Sequence, residues 1–152
     1  MTREYIIFLI SFIVVLSIFA YINTRYGLYF AFKWFLKIAL PMVLSAIIVK
    51  IAQFVSDLRL VSYIVGGIGF VIFFIVFQSA IKQAPENKKP TIISHFFGFI
   101  LGLVQGWLAI GLVVDYLNFF GILKIQNLIP LAFFNAIVTP LRWFLFFDFI
   151  KF

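Results

Sequence analysis

Long apolar runs alternate with short polar segments along this chain. A helix rises about 1.5 Å per residue, so it needs about 20 mainly apolar residues to cross the hydrocarbon core of a bilayer. The polar segments hold most of the charged residues, and the longest, 82–90, contains two prolines, as is typical of a water-exposed connection. The pattern predicts four transmembrane helices at about residues 5–22, 34–55, 60–81 and 92–117.

The first and second of these runs differ in their charged residues. Residues 5–22 carry no charge and exceed the ~7–15 residues of a signal-peptide core, so we interpret them as a retained span. The second run contains Lys37 and Lys50, with Lys33 just before it. We expect this helix to begin near Trp34, with Lys37 and Lys50 extending toward opposite membrane surfaces while their alkyl stems stay in lipid.

The pattern changes after Asn118. The tail, 118–152, is apolar but interrupted by Gly121, Pro130 and Pro140. Its last stretch, 141–152, mixes aromatic residues with a few charges and is too short to cross a bilayer. These features predict an interfacial helix, with a re-entrant hairpin through the two prolines as the alternative. The chain 1–152 is thus expected to form a single membrane domain.

Composition strengthens this interpretation. Hydrophobic residues make up 65% of the 152 residues and charged residues 11%, whereas soluble domains carry about 25% charged residues. These values exclude a water-soluble monomer and a disordered chain. Because the chain has no cysteine and a single histidine, we expect no disulfide, metal site or cofactor. The expected fold is an all-α integral membrane protein surrounded by the lipid bilayer.

The net charge of +7 does not indicate a nucleic-acid partner. The basic residues are spread along the ends of the predicted spans, where they match anionic lipid headgroups. Counting them by loop favours a cytoplasmic position for the first and third loops, although basic residues of the tail offset this bias. The residues that set it are Arg25, Lys33, Lys37, Lys82, Lys88 and Lys89.

Three glycines form the clearest local pattern. Gly98, Gly102 and Gly106 follow one another at every fourth residue of the fourth run, so they drift only about 80° around a helix. Such a groove lets a second helix approach closely, which is how helices associate in lipid. We expect it to pack against a helix of the same chain rather than against a second copy, although a homo-oligomer or another membrane protein remains an alternative partner.

Three polar residues of the same run are candidate functional residues. His95 and Gln105 share the sector of the glycines, which predicts an interhelical hydrogen bond or a polar patch facing a cavity. Asp115 is the one carboxylate inside a predicted span, and such groups are hypotheses for function by default. It lies near the helix end and away from the glycines, so interface capping or pairing with a basic residue is the favoured interpretation.

Catalytic chemistry has little support in the sequence. Ser79 and Lys82 match the S-x-x-K pattern of serine–lysine enzymes, but the companion motifs of that group are absent. Lys82 is better explained as an anchor at the membrane surface. We therefore assign no catalytic residue and expect a non-enzymatic protein.

The fourth run also supports a family resemblance. Residues 93–108, with Gly98, Gly102 and Gly106, resemble the glycine-spaced segment of the CvpA family, the colicin V production proteins. The order upstream is similar, with an apolar first helix followed by the turn 23–28, and the resemblance covers about residues 5–117. It implies a multi-pass protein of the bacterial inner membrane that is needed for production or export of a peptide toxin, with a broader role in the envelope.

Two other classes of function stay open. A small transporter or channel component would place His95, Gln105 or Asp115 beside water-filled space. A membrane enzyme would instead need Ser79 and Lys82 within hydrogen-bond reach of each other. A scaffold protein predicts neither arrangement, only close packing along the three glycines.

Overall fold

A computed structural model describes residues 3–56, 58–82, 89–122 and 129–144 of the chain. Across these ranges all regular secondary structure is helical, which confirms the predicted all-α class. Helices α1 to α4 are each long and apolar enough to cross a membrane. The helices are α1 (Arg3–Tyr26), α2 (Leu28–Gln53), α3 (Arg59–Ala80), α4 (Ile92–Phe119) and α5 (Leu131–Phe144).

Helix α2 begins six residues before the predicted start of the second span, at Leu28 instead of Trp34. The lysine that was expected to precede the span is accommodated inside the helix. Lys33 Nζ lies 4.3 Å from the centroid of the Tyr29 ring and donates a hydrogen bond to the Lys82 carbonyl oxygen at 3.1 Å. The charge therefore has partners one turn away and at the end of α3, and the helix does not have to stop.

Gly27 is the single residue between α1 and α2. Its φ of 83° lies in the left-handed region, which favours glycine because it has no Cβ. A Cβ at this position would also lie 2.7 Å from Ser94 Oγ and 2.8 Å from Pro90 Cβ, at the start of α4. Backbone conformation and close approach thus both require glycine here.

Helix α4 occupies the middle of the fold, because it packs against α1, α2 and α5. It runs antiparallel to α1, since Gly98 lies beside Asn23 whereas Gly106 lies beside Leu16. Helices α2 and α3 form a second antiparallel pair, since Gln53 lies beside Ser62 whereas Ser45 lies beside Gly69. We call the end of the fold that holds residues 23–33, 81–82 and 89–95 the Gly27 end.

Two apolar cores flank α4. One joins α4 to α1 and α5, and the other joins α4 to α2, with phenylalanines of α2 and α3 packed around it. The first consists of Phe12, Val114, Ile129, Phe134, Ile137 and Val138. The second consists of Ile38, Met42, Ala46 and Leu108.

The predicted tail contains helix α5. The carbonyl of Pro130 accepts hydrogen bonds from the backbone N–H groups of Phe133 and Phe134 at 2.9 and 3.0 Å, so this proline precedes the first turn. The helix continues through Pro140 and buries Phe134 against α1 and α4. Residues 123–128 and 145–152, on which the rest of the tail prediction falls, lie outside the described residues.

The outer faces of α1 and α3 are apolar. Branched aliphatic side chains at helical spacing are about half exposed on both, among them Ile6, Ile10, Ile13, Ile64, Ile68, Val71 and Ile75. A soluble monomer rarely exposes a continuous apolar patch larger than a few hundred Å². This exterior is therefore suited to contact with lipid.

Candidate functional site at the contact between α1 and α4

The three glycines of α4 form a face that α1 covers. A Cβ added to Gly98 would lie 2.6 Å from the Asn23 carbonyl oxygen, and one added to Gly102 would lie 2.7 Å from that of Phe19. At Gly106 the nearest atom is Leu16 Cδ2, at 3.0 Å. The glycine face thus brings the backbones of two helices of one chain together, as close packing of small residues permits.

Two buried amides join three helices beside the glycine face. Asn23 Nδ2 donates hydrogen bonds to Gln105 Oε1 at 3.0 Å and to the Phe19 carbonyl at 2.8 Å. Gln105 Nε2 in turn donates to the Ala31 carbonyl of α2 at 2.6 Å. Asn23 is 3% exposed and Gln105 is 1% exposed. We call Asn23 and Gln105 the amide pair; it links α1, α2 and α4 in the interior.

The start of α4 holds the turn between α1 and α2. His95 Nδ1 lies 2.5 Å from the Thr24 carbonyl oxygen, and because a carbonyl can only accept, Nδ1 carries the hydrogen. Ser94 Oγ accepts from the backbone N–H of Leu28 at 2.8 Å. That N–H opens α2 and has no partner within its own helix, so a residue of α4 caps α2.

Asp115 belongs to a different contact. It is 6% exposed and accepts a hydrogen bond from Tyr63 Oη of α3 at 3.0 Å. Next to it, Tyr116 Oη donates to the Tyr63 carbonyl at 3.2 Å and lies beside Gly66, where a Cβ would be 3.2 Å away. These tyrosines and Asp115 join α3 to the C-terminal half of α4.

The structure therefore brings only part of the predicted residues together. His95 and Gln105 share the glycine face with Gly98, Gly102 and Gly106, and Asp115 lies apart from them on the side of α3. Sequence reasoning missed Asn23 and Tyr63. Asn23 had a signal, since it is an amide one residue after the predicted first span, but an amide at a span end is equally typical of a residue in a polar turn.

The arrangement holds helices together with direct hydrogen bonds. Ser79 Oγ, considered above as a nucleophile, donates to the Val76 carbonyl of its own helix at 2.7 Å. Among the described residues, no group of three or more histidines and carboxylates is placed to hold a metal ion. Buried amides that bond to backbone carbonyls fix the position of neighbouring helices, because each amide has a defined direction.

Comparison with known proteins found no matching family model, no matching curated protein and no matching solved structure. The resemblance of residues 93–108 to the colicin V production family therefore stays a prediction.

Proposed function

We propose that this chain is a non-enzymatic multi-pass protein of the bacterial inner membrane that acts as a compact helical scaffold. Four helices of sufficient length and apolar character support the membrane location, and so does the apolar exterior of α1 and α3. In water, that exterior would aggregate. In lipid it needs no further partner.

The observation that carries the scaffold role is the close contact along the glycine face. A transport path beside Gln105 would require its amide to face water. Instead, both polar ends of this side chain bond to neighbouring helices, and α1 lies against the backbone of Gly102. This favours a packed interior over a channel at the depth of Gln105.

The proposed biological role follows the colicin V production type: production or export of a peptide toxin, or maintenance of the envelope. Its support is that the two segments that carry the resemblance contact each other. Residues 94, 95 and 98 of α4 lie against the turn 23–28 through Ser94–Leu28, His95–Thr24 and Gly98–Asn23 contacts. The two motifs therefore form one structural unit.

Gene deletion in the native bacterium tests this role. We expect the deletion strain to export less peptide toxin or to become more sensitive to detergent, and the wild-type gene to restore the lost property. Val104→Ile, on an exposed position of α4, should restore it as well. Gly102→Ile, which forces α1 away, should not.

Membrane integration is verified first, by resistance of the protein to extraction with alkaline carbonate. Unchanged toxin export and unchanged detergent resistance after deletion would contradict the proposed role. Full complementation by Gly102→Ile, at equal amounts of protein in the membrane, would contradict the scaffold mechanism.

A further inference from the structure

A groove opens at the Gly27 end, between the first turns of α2 and the start of α4. Its volume is about 410 Å³, and it is lined by Leu28, Tyr29, Phe32 and Ser94. Three of the four lining side chains are apolar or aromatic and are partly exposed, and the fourth offers a hydroxyl. The groove thus suits a ligand that is mainly apolar with a polar end.

The surroundings of the groove are basic. Lys33 Nζ lies over the ring of Tyr29, which forms one wall. Arg25, Lys82 and Lys89 belong to the same end, and the charged side chains that the structure describes there are all basic, with Glu86 and Lys88 outside the described residues. The local charge is therefore complementary to an anion.

Lys33 is positioned beside the groove by two uncharged groups. Its hydrogen-bond acceptor is the carbonyl of Lys82, which is neutral, and the ring of Tyr29 fixes the direction of its stem. A lysine near a helix end extends its ammonium toward the membrane surface while its stem lies along apolar groups. Tyrosines concentrate at the same depth.

We propose that the groove binds one anionic phospholipid, with an acyl chain against Leu28, Tyr29 and Phe32 and the phosphate beside Lys33. The inference rests on the membrane location proposed above. A free anion would not contact the apolar walls, and a zwitterionic lipid would bring its own cation toward Lys33. A lipid with net negative charge satisfies both the walls and the charge.

Native mass spectrometry tests this proposal. The full chain is purified from membranes, incubated with equal amounts of phosphatidylglycerol and phosphatidylcholine, and the retained lipids are counted. We expect a single phosphatidylglycerol to be retained preferentially. Lys33→Gln should lower its retention about fivefold, the equivalent of the ~1 kcal/mol that a basic residue contributes near an anionic surface.

Two further variants locate the effect. Leu28→Trp should fill the groove and lower retention of phosphatidylglycerol as well, because Leu28 lines it. Arg3→Gln removes the same charge from the exposed start of α1, away from the groove, and should leave retention unchanged. Circular dichroism of each variant verifies that the helices are retained.

Equal retention of the two lipids by the wild type would overturn the proposal, as would an equal loss in Arg3→Gln and Lys33→Gln. A dimer that disappears in Leu28→Trp would assign the groove to a second copy of the chain and overturn it too. Extraction of the protein by alkaline carbonate would instead contradict the membrane location itself, so the two failures are distinguishable.

Discussion

The two halves of α1 pack on their neighbours by different means. In the C-terminal half, from Leu16 to Asn23, the backbone of α1 lies directly against the glycine face of α4. In the N-terminal half, large aromatic side chains separate the helices. Phe12 packs edge-on against Trp107 of α4 with ring centroids 5.5 Å apart, and against Phe133 of α5 at 5.7 Å.

The difference shows how one helix acquires two kinds of neighbour. Where α4 offers glycines, α1 approaches so closely that the amide pair can bond across the contact. Where α4 has Trp107, aromatic rings of α5 fill the space beside α1. The ring centroid of Phe133 lies 6.0 Å from that of Tyr5 and 6.3 Å from that of Phe8. We call the C-terminal half of α1 the close half and its N-terminal half the wide half. The close half depends on the absence of side chains at the glycines of α4, and the wide half depends on aromatic side chains that fill the space between the helices.

The largest effect is expected from Gly102→Ile. Its Cβ would meet the Phe19 carbonyl oxygen and the Ala20 Cα, which are backbone atoms, so α1 as a whole must move. We expect a loss of about 3 kcal/mol in the free energy of unfolding, at the upper end for overpacking. Unfolding of the purified protein by increasing amounts of denaturing detergent measures it.

Gly106→Ala is the control for Gly102→Ala, because both variants add the same methyl group to the glycine face. The Cβ added at position 106 lies 3.0 Å from the movable end of the Leu16 side chain. Gly106→Ala should lose less stability than Gly102→Ala, which meets backbone. Equal losses in the two alanine variants would contradict the close approach of the α1 backbone to Gly102.

Phe133→Ala addresses the wide half of α1. The variant loses the edge-on contacts with Tyr5, Phe8 and Phe12, and we expect a loss of about 2 kcal/mol, below the range for fully buried phenylalanines because the side chain is half-buried. The effect should be confined to α5. Hydrogen exchange should therefore accelerate in α5 and not in α1 near the glycine face; faster exchange in both regions would contradict separate halves.

Gln105→Leu tests the amide pair in the close half. The change keeps a similar shape but removes the bonds to Asn23 and to the Ala31 carbonyl. Interhelical hydrogen bonds in membrane proteins contribute about 0.6–1.7 kcal/mol, so we expect a loss of about 1 kcal/mol. Detergent unfolding measures it, and no loss at all would mean that the glycine face alone holds this half together.

Tyr63→Phe gives the smallest expected effect and serves as a reference outside both halves of α1. It removes one hydrogen bond to Asp115 and keeps the ring that stacks on Phe119. We expect a loss of about 0.6 kcal/mol, measured in the same unfolding assay. A loss larger than that of Gln105→Leu would place the main polar link of the fold between α3 and α4 instead.

The sequence predicts the features that depend on neighbouring residues in the chain and misses those that depend on contacts between helices. The all-α class and the helix positions follow from local properties, because apolar length is visible in the chain itself. The spacing of Gly98, Gly102 and Gly106 predicts a close contact for the same reason. Neither the start of α2 nor its tolerance of Lys33 was visible, since the partners, Tyr29 and the Lys82 carbonyl, depend on how the chain folds.

Partners across helices could not be predicted from the sequence. The bonds from Gln105 to Asn23 and from Asp115 to Tyr63 join residues that are 82 and 52 positions apart. Residue types indicate that a buried amide or carboxylate needs a partner, but they do not indicate which one. The aromatic contacts of Phe133 are hidden for the same reason, because many phenylalanines of this chain could fill the space.

Thiol accessibility tests the central claim, a membrane-spanning bundle whose interior is closed beside Gln105. The chain has no cysteine, so Gln105→Cys and the buried Leu108→Cys can each be labelled with a membrane-impermeant reagent from either side, with the exposed Thr91→Cys as the positive control. We predict labelling of Thr91→Cys from one side, and labelling of the two interior positions only after denaturation. Labelling of both interior cysteines in intact membranes would reveal a water-filled path and contradict the packed scaffold.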